Sequence, residues 1–127
     1  MTRIIAVVLA VTLSANALFM LGAPLAWYDA VPGVRSTGAF NPHFVRDIGA
    51  AYLVAAMGLA WFAWRPVQGW PALVAGALFL ALHSGIHLFD ASCSASPLAN
   101  LIRDFPGVFL PTLLAGAIAV LRRPKEV

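Results

Sequence analysis

The chain has 127 residues, 61% of them hydrophobic and 10% charged, with a mean hydropathy of +0.87. Soluble domains carry about 25% charged residues, so this chain cannot clothe a globular surface in water. The formal net charge of +3 comes from scattered basic residues, which form no basic stripe for a nucleic acid.

Charge is absent from four stretches: Ile4 to Tyr28, Ile48 to Trp64, Pro66 to Phe89 and Phe105 to Leu121. Crossing a bilayer takes about 20 apolar residues, with about 17 as the lower bound. In hydrocarbon every backbone amide needs an internal partner, which leaves helices or a closed barrel. The runs are apolar on both parities, so the in-out alternation of a barrel is missing. The sequence therefore predicts an all-α bundle of four transmembrane helices, near 4–28, 43–64, 67–90 and 103–121, as one membrane domain over 1–127 with the lipid bilayer as its main partner.

The first span opens after Arg3 and ends at Trp27 and Tyr28, aromatic residues typical of the headgroup level. Its Ala15-Asn16-Ala17 triplet also resembles a signal-peptide cleavage site, but the apolar run continues past the 7–15 residues of a signal core. A retained span is the preferred reading. Asn41-Pro42 offers a cap and a first-turn proline for the second span. Within that span Gly49, Gly58, Ala51, Ala55 and Ala56 predict close helix packing. Trp61, Trp64 and Trp70 flank Arg65 at the next boundary. The third span carries His83, His87 and Asp90, and a small polar loop follows with the lone Cys93, so no internal disulfide exists. Arg103, Asp104 and Pro106 predict the start of the fourth span, with a kink at Pro111. The basic end is Arg122, Arg123 and Lys125.

Orientation follows from the arginines and lysines. The termini and the middle loop hold five, namely Arg3, Arg65, Arg122, Arg123 and Lys125, and the other side holds three, Arg35, Arg46 and Arg103. By the positive-inside rule both termini are expected in the cytoplasm. Every aspartate (Asp29, Asp47, Asp90 and Asp104) and every histidine (His43, His83 and His87) then falls at the outer ends, while Glu126 is inner.

That asymmetry nominates an outward-facing pocket. His83, His87 and Asp90 are spaced four and three apart, which puts them on one helical face. His43 and Asp47 repeat the spacing on the second span. Ionisable groups at such depth normally face the bundle interior or a watery cavity. Imidazole and carboxylate together suit a transition metal such as zinc, iron or copper, or a small polar ligand. The plainer alternative is hydrogen bonding between helices. Arg46, Arg103 and Asp104 offer an anionic-group site or interfacial anchors, with the anchor favoured.

Two sets of segments echo each other. Trp27-Tyr28-Asp29-Ala30 parallels Leu88-Phe89-Asp90-Ala91, and Phe44-Val45-Arg46-Asp47 parallels Leu101-Ile102-Arg103-Asp104. The echo suggests two duplicated helical hairpins. The run from Phe40 to Leu53, with its Arg46, Gly49 and Tyr52-Leu53, resembles a family of small bacterial four-helix membrane proteins of unknown function, DoxX-like in layout. The Leu82 to Asp90 run looks like a companion segment. The resemblance implies a four-helix membrane bundle in a bacterial inner membrane and brings no activity with it. The expected function is binding of a metal ion or small polar ligand in the outer pocket. The alternative is a structural or accessory subunit, with a partner membrane protein or a second copy of the chain docked on it.

Overall fold

The computed structural model describes residues 1–124, all-α and without strands among them; Lys125 and Glu126 lie outside the described residues. Helix α1 runs Thr2–Gly22, α2 Pro24–Ala30, α3 Pro42–Trp64, α4 Pro66–Ser92, α5 Pro97–Asp104 and α6 Leu110–Leu121. A single π-helical turn, Phe105–Phe109, joins α5 to α6. Four segments are long and apolar enough to cross a membrane: α1, α3, α4 and the continuous Pro97–Leu121. The protein is a multi-pass membrane protein. Large side chains such as Val11, Val54, Leu82 and Leu113 are more than half exposed. In water such a surface would be a liability, whereas in a bilayer it is the lipid face.

The helices run up and down, with α1 packed on α3, α3 on α4, and α4 on α6. In α1 the buried residues Ala6, Leu9, Ala10, Leu13, Ala17 and Met20 recur at helical spacing and meet Val45, Gly49 and Tyr52 of α3. Lipid tails are as apolar as leucine, so close packing of small residues drives this association. The Ala15-Asn16-Ala17 triplet lies inside α1, with Ala17 fully buried. Gly69 is packed so closely that an added Cβ would stand 2.5 Å from the backbone nitrogen of Phe62. Backbone cannot swing aside. Gly69→Ala should therefore cost about 1–3 kcal/mol by overpacking, read as earlier thermal unfolding in detergent. Gly85→Ala, where a Cβ meets nothing within 4 Å, should unfold with the wild type; equal behaviour of the two variants would refute the packing argument.

The observed elements correct the expected ones in two places. The first span was expected to be continuous over 4–28, but it breaks at Ala23, whose φ of −139° and ψ of 62° are non-helical. Pro24 forces this, since its ring disfavours the helical region for the preceding residue and it has no N–H to donate. The chain then folds back far enough for Trp27 Nε1 to donate to Asn16 Oδ1 at 2.9 Å. The fourth span begins at Pro97 rather than 103, so Asp104 is an interior helical residue and not a cap. In place of a simple kink at Pro111, the π turn lies just before it, with Leu110 N–H bonded to the Phe105 carbonyl. Asn41 caps α3 as expected, its Oδ1 accepting from the amides of His43 (3.0 Å) and Phe44 (3.2 Å).

Candidate functional site

The buried stripe of α4 runs Leu73, Ala77, Leu80 and Ser84 towards the end that carries the histidines. His83 and His87 flank this stripe and are half-buried. Both therefore face neighbouring helices. Their rings lie 4.8 Å apart between centroids, at 61°. His83 meets Tyr52 of α3 edge-on at 5.4 Å and stacks on Phe79 at 6.0 Å, while Tyr52 and Phe79 are themselves edge-to-face at 5.3 Å. Three aromatic residues thus fix the His83 ring in place, an arrangement favoured by the ring quadrupoles.

His87 engages the fourth span. Its Nδ1 lies 2.8 Å from Asp104 Oδ2, and Asp104 is only 9% exposed. A carboxylate only accepts, so Nδ1 carries the proton in this contact. Arg103 grips the same carboxylate with two hydrogen bonds, Nε to Oδ1 at 2.6 Å and Nη2 to Oδ2 at 3.0 Å. Its Nη1 donates to Asn100 Oδ1 at 3.0 Å, and Asn100 in turn donates to Ser94 Oγ at 2.9 Å. Such two-pronged, charge-assisted contacts hold geometry firmly. The loop between α2 and α3 closes over this chain at Gly33, which has a φ of +85° and where an added Cβ would run into the Arg103 guanidinium. Between the two histidines along α4, Ser84 Oγ and Thr112 Oγ1 share a hydrogen bond of 2.7 Å, and the Thr112 hydroxyl lies within reach of two carbonyls, Val108 of its own span at 2.9 Å and Leu80 of α4 at 3.1 Å. These contacts tie α4 to the fourth span beside the histidines.

The residues nominated from sequence divide into those that join this cluster and those that do not. His83 and His87 belong to it, and so do Arg103 and Asp104, nominated as an anionic-group site or interfacial anchors. Asp90 is exposed and makes no side-chain hydrogen bond among the described residues; Asp104 holds the position beside His87 that was expected of Asp90. His43 pairs locally with Asp47 at 3.4 Å, with side chains 87% and 59% exposed. Arg46 donates from Nε to the Leu21 carbonyl at 3.2 Å, capping the broken end of α1. The expected convergence of imidazoles and carboxylates on one metal ion is not formed, for among the described residues no three His, Cys, Asp or Glu side chains gather as metal donors. Tetrahedral zinc sites take at least three protein ligands, so the residues present do not fit that centre. Tyr52 and Phe79 were missed because aromatic residues in an apolar span read as packing.

Among the polar atoms of this cluster, the Tyr52 hydroxyl and both nitrogens of His83 have no hydrogen-bond partner among the described residues, although Tyr52 is 6% exposed. They are not sealed off, because no fully buried side-chain nitrogen or oxygen lacks a partner. Comparison with protein-family models, with curated proteins and with solved structures gives no match to the chain.

Proposed function

We propose that this multi-pass protein resides in a bacterial inner membrane with both termini in the cytoplasm, and that its outer-leaflet histidine site binds a small, uncharged polar ligand. The positive-inside bias and the gathering of all histidines and aspartates at one end support the orientation. The observation that carries the ligand reading is the unequal satisfaction of the cluster. Arg103, Asp104 and His87 Nδ1 complete one another, which is all a structural lock between helices requires. His83 and the Tyr52 hydroxyl remain with donor and acceptor capacity, on atoms that are not fully buried. With Asp104 matched by Arg103, no surplus charge is left to hold an ion, so hydrogen bonding is the chemistry on offer.

Native mass spectrometry of the protein released from lipid nanodiscs tests this. A stoichiometric adduct is expected on the wild type and should vanish from a His83→Ala, His87→Ala double variant that retains its helical circular dichroism. Adducts that are the same on both proteins would sink the proposal. Elemental analysis of the same samples addresses the ion, and a stoichiometric metal lost with the histidines would replace the uncharged ligand.

A further inference from the structure

A groove of about 890 Å³ opens to the lipid between α3 and α4, with small residues such as Ala51, Ala55 and Gly58 on one side and Ala72, Gly76 and Phe79 on the other. Its far end, towards the inner leaflet, is bounded by Trp61 and Trp64. The helical repeat ties this groove to the histidine site. Ala72, Gly76, Phe79 and His83 are spaced four, three and four residues apart on α4, so His83 stands on the same stripe, one turn outward. On α3 Asp47 stands one turn outward of Ala51. Phe79 belongs to both, lining the groove while stacking on the His83 ring.

Resting on the ligand reading above, we propose that the ligand is an amphiphile entering sideways from the bilayer, its uncharged hydrogen-bonding head at His83 and its single hydrocarbon chain lying along the α3–α4 groove. The dimensions agree. From His83 to Ala72 the helix rises about 16 Å, close to the depth of one leaflet, about half of a 30 Å hydrocarbon core. The chemistry agrees too, because the lining between the two ends is aliphatic and small, the far end offers only the indole N–H donors of Trp61 and Trp64, and acceptor and donor together lie one turn beyond Phe79 at His83. A helix from a second copy is a poorer occupant. Such a helix would need a small face for close approach; Val7, Val11 and Leu18 make the outward face of α1 bulky, and use of the exposed small pair Ala81 and Gly85 of α4 would show as a cross-link between copies.

The test is photolabelling in lipid nanodiscs with a long-chain primary alcohol bearing a diazirine in mid-chain, with labelled residues mapped by mass spectrometry. Label is expected to concentrate on 51–64 and 72–79 above the level on the lipid face of α1. Ala75→Phe, at an exposed position that lines the groove, should bring groove labelling down to that background. His83→Ala should reduce it as well. Uniform labelling of all lipid faces, groove labelling indifferent to both substitutions, or a cross-link between two protein copies through this face would each overturn the inference. An adduct in native mass spectrometry that survives Ala75→Phe but not His83→Ala would leave the polar site standing and remove the chain.

Discussion

Asp104→Ala is expected to be among the most damaging single substitutions in the protein, lowering stability by about 2–3 kcal/mol, the cost of losing charged hydrogen bonds whose remaining partners, Arg103 and His87, are partly exposed. The carboxylate is 9% exposed and is the acceptor for both the His87 ring and the Arg103 guanidinium. Removing it leaves a cation without its counter-charge and an imidazole N–H with nothing to bond, at the edge of a low-dielectric medium. Arg103 would also lose the contact that holds it against Gly33. Asp104→Asn keeps the shape and one acceptor oxygen, so it should lose less. Denaturant unfolding of both variants in mixed micelles, combined with His87→Ala in a double-mutant cycle, gives the coupling directly. Additive losses from Asp104→Ala and His87→Ala would show that the 2.8 Å contact contributes nothing.

Phe62→Ala should cost about 3 kcal/mol, the lower end of the range for deleting a buried phenylalanine. Phe62 is 1% exposed and packs where Gly69 brings α4 hard against α3. In a bilayer the unfolded reference is already in an apolar medium, so little of the transfer term survives. What remains is the lost dispersion contact and the cavity, since two helices held at backbone distance cannot close around the gap. Thermal unfolding in detergent measures the loss. A variant as stable as wild type would mean that the α3–α4 hairpin relaxes freely, and the Gly69 argument would fall with it.

The four spans could be read from sequence because hydrocarbon admits so few charges that their absence marks the boundaries. The cap at Asn41 was also open to sequence, being a local contact over three residues. Where local charge misled was at Arg103 and Asp104. Their charge marks the start of a fourth span in the sequence, yet they lie inside a helix that begins at Pro97, their polarity answered by His87 of another helix. Such an answer depends on tertiary packing, and spacing along one chain does not contain it. For the same reason Asp90, at the right interval from His87, was preferred over Asp104, which is 17 residues away. Pro24 was visible from the outset. A criterion based on uninterrupted apolarity passes over a proline that leaves the run apolar while breaking the helix.

The widened turn at Phe105–Phe109 separates α5, which carries Asp104, from α6, and both parts pack against α4. On its α6 side Thr112 reaches the Leu80 carbonyl and shares a hydrogen bond with Ser84, while on its α5 side Asp104 bonds the His87 imidazole, Asn100 bonds Ser94 and α5 packs on α4. The last crossing is thus two rods joined by an elbow. A small swing of the α5 rod would part Asp104 from His87 while leaving α6 on α4, and π turns recur at such working positions in helices.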